Sequence, residues 1–109
     1  MTASYRVLPA DRVAGSIVVP GDKSISHRAL MFGAIAEGVT SVTGFLEGED
    51  CLSTMRAVRE LGVRVERPAS GEVVVHGVGL GGLRAPSATL DMGNAGTAMR
   101  LFMGLLSAQ

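Results

Sequence analysis

The chain has 109 residues and a mass of 11.2 kDa, ten Lys+Arg balanced by ten Asp+Glu, and 47% hydrophobic against 18% charged residues. That balance is too apolar for intrinsic disorder, and zero net charge argues against a nucleic acid or an anionic membrane surface as the main partner. A globule of this mass exposes roughly 5,700 Å² of the ~16,000 Å² of its unfolded chain, enough burial for a single core without covalent staples.

In chain order, Tyr5–Leu8 and Ser16–Val19 read as short strands, and Pro20-Gly21 stops the second. From Ser24 the period changes, and Ile25, Leu30, Phe32, Ala34 and Ile35 predict a mostly apolar helix running to Glu37, with Gly38 as its left-handed C-terminal residue. Val39–Val42 alternates as a strand. Asp50 is the expected N-cap of a second helix with Leu52, Met55, Val58 and Leu61 on one face, closed by Gly62. Val63–Arg67 and Glu72–His76 flank Pro68-Ala-Ser-Gly71 as a β-hairpin. The order to this point is β-α-β-α-β-β. A Gly-rich link (Gly77 to Gly82) and Pro86 lead to a strand-like Ala88–Asp91 and a last helix from about Ala95.

The N-terminus has no charged stretch leading into an apolar one, as a secretory signal would, and no apolar run approaches the ~18 residues of a membrane span. A single cysteine, Cys51, excludes an internal disulfide and fits a reducing compartment. The expectation is a soluble, cytoplasmic α/β chain, glycine-punctuated because 15 glycines are about twice the usual share near 7%. The pattern stops mid-helix in Gly-Leu-Leu-Ser-Ala-Gln109, which reads as a piece of something longer. An offset of 72 residues lays Gly21-Asp22 on Gly93-Asn94, Arg28 on Arg100 and Met31 on Met103, a faint repeat of one strand–turn–helix unit.

Two segments carry candidate chemistry. Pro20-Gly-Asp-Lys-Ser-Ile-Ser-His-Arg28 lies where an extended segment hands over to a helix, and unpaired N–H groups with the positive end of the helix dipole make such a point attractive to anions. Ser24 and Arg28, four apart, share one helix face; Lys23 adds a compact charge and Arg28 a planar two-pronged donor. The plainer reading is a solvated Lys23 and an Arg28 paired with Glu37 or Asp22. Asp91-Met-Gly-Asn-Ala-Gly-Thr-Ala-Met-Arg100 repeats the arrangement with less charge: Asn94 as cap, Gly96 as an open backbone approach, Thr97 as hydroxyl donor, Arg100 one turn on. Its plainer reading is a simple turn into a helix.

Other signals fail. Gly77-Val-Gly79-Leu-Gly-Gly82 matches a dinucleotide fingerprint, but Pro86 follows instead of a helix. Lys23-Ser24 lacks the glycine that a phosphate-binding P-loop places before its lysine. Cys51 reads as a plain helical cysteine, His27 and His76 are too far apart for a zinc site, and Glu47, Glu49 and Asp50 read as helix-terminal charge.

Gly21-Asp-Lys-Ser-Ile-Ser-His-Arg28 and Gly93-Asn-Ala-Gly-Thr-Ala-Met-Arg100 together make the chain resemble the start of the 5-enolpyruvylshikimate-3-phosphate synthases. Leu46-Glu-Gly-Glu-Asp50 and Leu61-Gly-Val are also similar, so the resemblance covers almost the whole chain, which would be about a quarter of a two-domain enzyme. It implies an α/β (α+β) fold, a truncated piece of the inside-out barrel built from βαβαββ units. On that pattern residues 1–19 belong to the other domain, 20–84 form the first βαβαββ unit of a substrate-binding domain, and 85–109 open the next. The implied reaction transfers the enolpyruvyl group of phosphoenolpyruvate to the 5-hydroxyl of shikimate 3-phosphate and releases phosphate, in chorismate and aromatic amino-acid biosynthesis.

Carried over by position, Lys23 touches both substrates, Ser24 and Arg28 bind shikimate 3-phosphate, and the Gly96 backbone lines the phosphoenolpyruvate pocket. Asn94, Thr97 and Arg100 shape that pocket. The resemblance implies no metal or organic cofactor, acid–base residues outside this chain, glyphosate as inhibitor, and the remainder of the enzyme, in cis or as a second chain, as the partner needed for activity. Leu101 departs from the family's frequent proline, and Gly96 is the form usual in glyphosate-sensitive members. The alternatives are a stand-alone anion-binding or assembly module without catalysis and, more distantly, the sibling family acting on UDP-N-acetylglucosamine, which shares the fold but lacks the Lys-Ser-Ile-Ser-His-Arg run.

Overall fold

The structure, a computed structural model, describes residues 2–109. Its elements are α1 (Lys23–Ile35), β1 (Glu37–Val42), α2 (Glu49–Glu60), β2 (Arg64–Glu66), β3 (Val73–Val78) and α3 (Gly96–Ser107). The three strands form one antiparallel sheet in the order β1-β3-β2, with Val39 opposite His76 and Val65 opposite Val75. Along β3, Val73 and Val75 are fully buried while Val74 and His76 are half-buried, the period-two alternation of a strand with one covered face. α1 packs on β3, α2 on β2, and the two helices on each other. Leu30 and Met31 of α1, Met55 and Val58 of α2, and Ala98 and Phe102 of α3 share one core with these valines.

Local chemistry explains the element ends. Asp22, in extended backbone (φ −70°, ψ 134°), accepts the Ile25 N–H at 2.8 Å through Oδ1 and starts α1. α2 ends on a Schellman motif: Gly62 (φ +91°) donates to Arg59 O at 3.0 Å, Val63 donates to Val58 O at 3.2 Å, and Val58 and Val63 are both buried. The expected hairpin is present between Arg64–Glu66 and Val73–Val78. Gly77 and Gly82 serve packing, as a Cβ would fall 2.1 Å from Ala36 O at the first and 1.9 Å from Val78 O at the second.

Several expectations are corrected. Tyr5–Leu8 and Ser16–Val19 form no strand; Tyr5 is 95% exposed and Val18 99%, since β-branched residues make a strand only against a partner edge, and none lies beside them among the described residues. Ala88–Asp91 is likewise irregular, and Leu90 packs on the core without a ladder. α1 stops at Ile35 with Ala36 as its C-cap in extended backbone, and Gly38 (φ +95°) lies inside β1 opposite Gly77. Asp50 is not the cap of α2: Gly48 occupies that position, which puts Glu49 and Asp50 in the first turn, where acids oppose the positive end of the helix. Glu47 is not helix-terminal charge. Its carboxylate accepts Gly71 N–H and Arg67 Nη2, both at 3.0 Å, and ties the approach to α2 to the hairpin turn; those bonds, Gly71 first, hold its pKa below the ordinary value.

The accessible surface is 7782 Å² and the radius of gyration 17.5 Å, against roughly 5,700 Å² and about 13 Å for a compact chain of this size. The excess lies in the extended arm before α1 and in apolar side chains left on α1 and α3 (Ile25 63%, Phe32 65%, Met103 67% exposed). Amide hydrogen exchange of the chain should therefore show Tyr5–Leu8 at near-unprotected rates while Ala29–Ile35 is strongly protected. Equal protection in the two segments would mean that the arm has found a partner edge.

Candidate functional site

The start of α1 is built by its own residues and by the turn before it. Gly21 passes so close to the β1–α2 connection that a Cβ would stand 1.9 Å from Gly44 O, so only glycine lets this turn seat. Ser26 Oγ donates to Asp22 O at 2.7 Å and accepts the Leu46 N–H at 3.1 Å, which locks the first turn of α1 to the same connection. Lys23 is the first helical residue and is exposed, Ser24 is half-buried, and Arg28 stands exposed in the second turn.

α2 grips this helix start through its first two turns. Asp50 Oδ2 accepts from Lys23 Nζ at 3.1 Å, Cys51 Sγ lies 3.7 Å from Lys23 O, and Thr54 Oγ1 lies 2.7 Å from His27 Nδ1. The Thr54 hydroxyl stands between His27 Nδ1 at 2.7 Å and Asp50 O at 3.4 Å, and the buried His27 Nε2 has no protein partner among the described residues. Burial holds the His27 imidazole below its ordinary pKa, against an opposing pull from Asp50, and keeps it neutral at pH 7. Burial likewise pushes the Cys51 thiol up, so it is a packed thiol with no reactive character.

Ahead of α3 the chain turns on Asp91, whose Oδ1 accepts the Gly93 N–H at 2.8 Å. The expected cap is corrected here: Ala95, not Asn94, precedes the helix, no side chain caps it, and Asn94 is exposed. Asp91 has taken the local hydrogen bond two residues on, the usual alternative for such a side chain. Gly96 is the first residue of α3 with ordinary negative φ, Thr97 and Arg100 are exposed, and Ala95 and Ala98 are buried. A Cβ on Gly93 would lie 3.2 Å from Ser53 Oγ, so this turn lies against the second turn of α2. Through Asp50 and Thr54 on one side and Ser53 on the other, α2 brings the starts of α1 and α3 to its own N-terminal end.

Neither plainer pairing of Arg28 occurs: it forms no ion pair with Glu37 or Asp22 among the described residues. It borders two open apolar clefts, one with Ile25, Phe32 and Thr40, the other with Met31, Ile35, Leu101 and Leu105 between α1 and α3. Lys23, Ser24 and Gly96 line neither cleft. Lys23 is not simply solvated, because Asp50 holds it. Sequence reasoning missed Asp50, Thr54 and His27 as neighbours of the lysine. The only local signal was helical spacing, four residues in both Lys23/His27 and Asp50/Thr54.

Comparison with known proteins follows the same lines. The sequence profile of the family described as EPSP synthase (3-phosphoshikimate 1-carboxyvinyltransferase) matches residues 7–109. The chain is 58% identical over 105 residues to the 3-phosphoshikimate 1-carboxyvinyltransferase of Hydrogenovibrio crunogenus, covering 96% of this chain and 24% of that protein. It is 59% identical over 101 residues to the protein of the same name from Methylococcus capsulatus, covering 93% and 23%. A solved EPSP synthase of Acinetobacter baumannii superimposes with a TM-score of 0.83 at 64% identity, over 87% of this chain and 21% of that one. The chain thus spans about a quarter of the length of the curated relatives it matches.

Proposed function

Because this chain belongs to the EPSP synthase (3-phosphoshikimate 1-carboxyvinyltransferase) family, we propose that it is the substrate-binding opening of an enzyme that moves the enolpyruvyl group of phosphoenolpyruvate to the 5-hydroxyl of shikimate 3-phosphate. The observation that carries this reading is Lys23 and Arg28 on the first two turns of a helix whose start is locked by Asp22 and Ser26. Two phosphorylated substrates need several fixed cations and helix starts close together, and positions held before the reaction cost no reorganisation during it. In this proposal Lys23 meets both substrates, Ser24 and Arg28 hold shikimate 3-phosphate, the Gly96 backbone borders phosphoenolpyruvate, and Asn94, Thr97 and Arg100 shape the loop around it. The chemistry is addition–elimination, with orientation and charge supplied here and proton transfer supplied by residues beyond this chain.

The partner in this reading is the remainder of the family fold, in cis or as a second chain. Residues 1–19 reach into a neighbouring domain, 20–84 form one repeat unit and 85–109 begin the next. The exposed Ile25, Phe32, Leu101 and Met103 support it, since they leave α1 and α3 half-covered in this chain alone. No helix among the described residues is long and apolar enough to cross a membrane; a cytoplasmic enzyme inhibited by glyphosate is the expectation. The test is to mix the chain with a separately produced remainder and assay phosphate release from the two substrates. Activity in the mixture and in neither part supports the proposal. A folded complex that binds phosphate but turns nothing over would favour a binding module.

A further inference from the structure

We propose that Asp50 is the positioning residue for Lys23: its carboxylate, carried on α2, holds the lysine ammonium at the start of α1, and the buried His27–Thr54 hydrogen bond sets the helix register that permits this reach. The inference rests on the reading of Lys23 as the group that meets anionic substrate.

Three observations carry it. Lys23 to Asp50 (3.1 Å) and His27 to Thr54 (2.7 Å) are two rungs between the same helices, each spanning 27 residues of sequence, four residues apart on α1 and four on α2. That spacing aligns each pair on one helix face. The second rung is fully buried, His27 and Thr54 both at 0% exposure, so α1 cannot roll or slide on α2 without breaking a buried bond. The Cys51 Sγ contact to Lys23 O, at 3.7 Å, ties the backbone of the same lysine to the same turn of α2.

Stability does not account for the first rung. Its side chains are 53% and 30% exposed, and pairs in water contribute little to folding. Electrostatic attraction of substrate does not account for it either, because a carboxylate beside an ammonium weakens the pull on an incoming anion. What the pair does supply is direction. A lysine is a point charge on a flexible four-carbon stem, and a fixed carboxylate selects one of its many placements. Arg28, whose guanidinium is a planar fork, has no comparable acid beside it among the described residues.

The two roles of Asp50 predict opposite signs, which makes the test sharp. Asp50→Asn, Asp50→Glu, Lys23→Met and the double variant Asp50→Asn/Lys23→Met are made in the chain joined to the rest of the family fold, and kcat and KM are measured for both substrates together with the melting temperature. A positioning carboxylate predicts that Asp50→Asn lowers kcat/KM by about 10- to 100-fold, since small misplacements of a substrate-facing group have effects of that size. Asp50→Glu should recover most of the loss, and Asp50→Asn should have no further effect once Lys23 is methionine. Tighter or unchanged substrate binding with kcat preserved in Asp50→Asn would overturn the proposal, and so would an equal loss in the Lys23→Met background. If Lys23→Met itself keeps full kcat/KM, the reading of Lys23 fails, a different result from a normal Asp50→Asn beside a crippled Lys23→Met. Should Asp50→Asn fold poorly, the Asp50→Glu variant decides: near-normal kcat/KM supports a positioning carboxylate, and a loss equal to that of Lys23→Met overturns it.

Discussion

Lys23→Met, in the chain joined to the rest of the family fold, should lower kcat/KM by about 30-fold to several-thousand-fold and leave the fold intact. The range is what roughly 2–5 kcal/mol of lost charged contact to substrate converts to, when the lost partner faced a desolvated anion. Methionine keeps most of the unbranched stem, and the Cys51 contact is to the Lys23 backbone carbonyl, which the substitution leaves in place. The folded state loses one ion pair whose lysine is half in water, an interaction worth at most about 1 kcal/mol in exposed sites. Turnover and stability therefore separate: large loss in the first, small change in melting temperature. The measurement is steady-state kinetics for both substrates beside thermal denaturation of the same preparation. A near-normal kcat/KM would leave Lys23 as a surface ion pair with Asp50 and remove it from the proposed site.

Gly96→Ala should separate three binding constants that a simple turn residue would move together. Gly96 opens α3 with ordinary backbone angles, where alanine is the better helix former by about 1 kcal/mol, so stability should hold or rise slightly. The added methyl meets one protein atom within 4 Å, Arg100 Nη1 at 3.0 Å, which is the far end of a flexible side chain and gives way readily. Toward the proposed pocket the methyl has no such freedom. Overpacking against a bound ligand costs typically ~1–3 kcal/mol, about five- to a hundredfold in affinity. Glyphosate, expected to extend further in that pocket than phosphoenolpyruvate, should lose the most. Its inhibition constant should rise far more than the KM of phosphoenolpyruvate, while shikimate 3-phosphate, assigned to Ser24 and Arg28 on α1, should bind nearly as before. If all three constants shift alike, or only the melting temperature moves, Gly96 is a turn residue and the pocket lies elsewhere.

What the sequence by itself determined is local. Asp22 ahead of the apolar helix, Gly62 after α2, the hairpin around Pro68–Gly71 and the amphipathic face of α2 are each encoded within a few residues, because caps, turns and helical periods are satisfied by near neighbours. The two glycine-led motifs were also legible, and with them the family. Tertiary structure decided everything that needs a distant partner. Ser16–Val19 and Ala88–Asp91 carry strand-forming residues but remain irregular, since a strand is completed by another edge. Glu47 went to the hairpin turn and Asp50 to Lys23, choices that depend on contacts 20 to 27 residues away. Gly21 is required by the Gly44 carbonyl across a tight crossing that no local pattern announces. The residues proposed to face anions can thus be read from the chain, but the groups packed against them cannot, because spacing along one helix does not specify which helix lies against it.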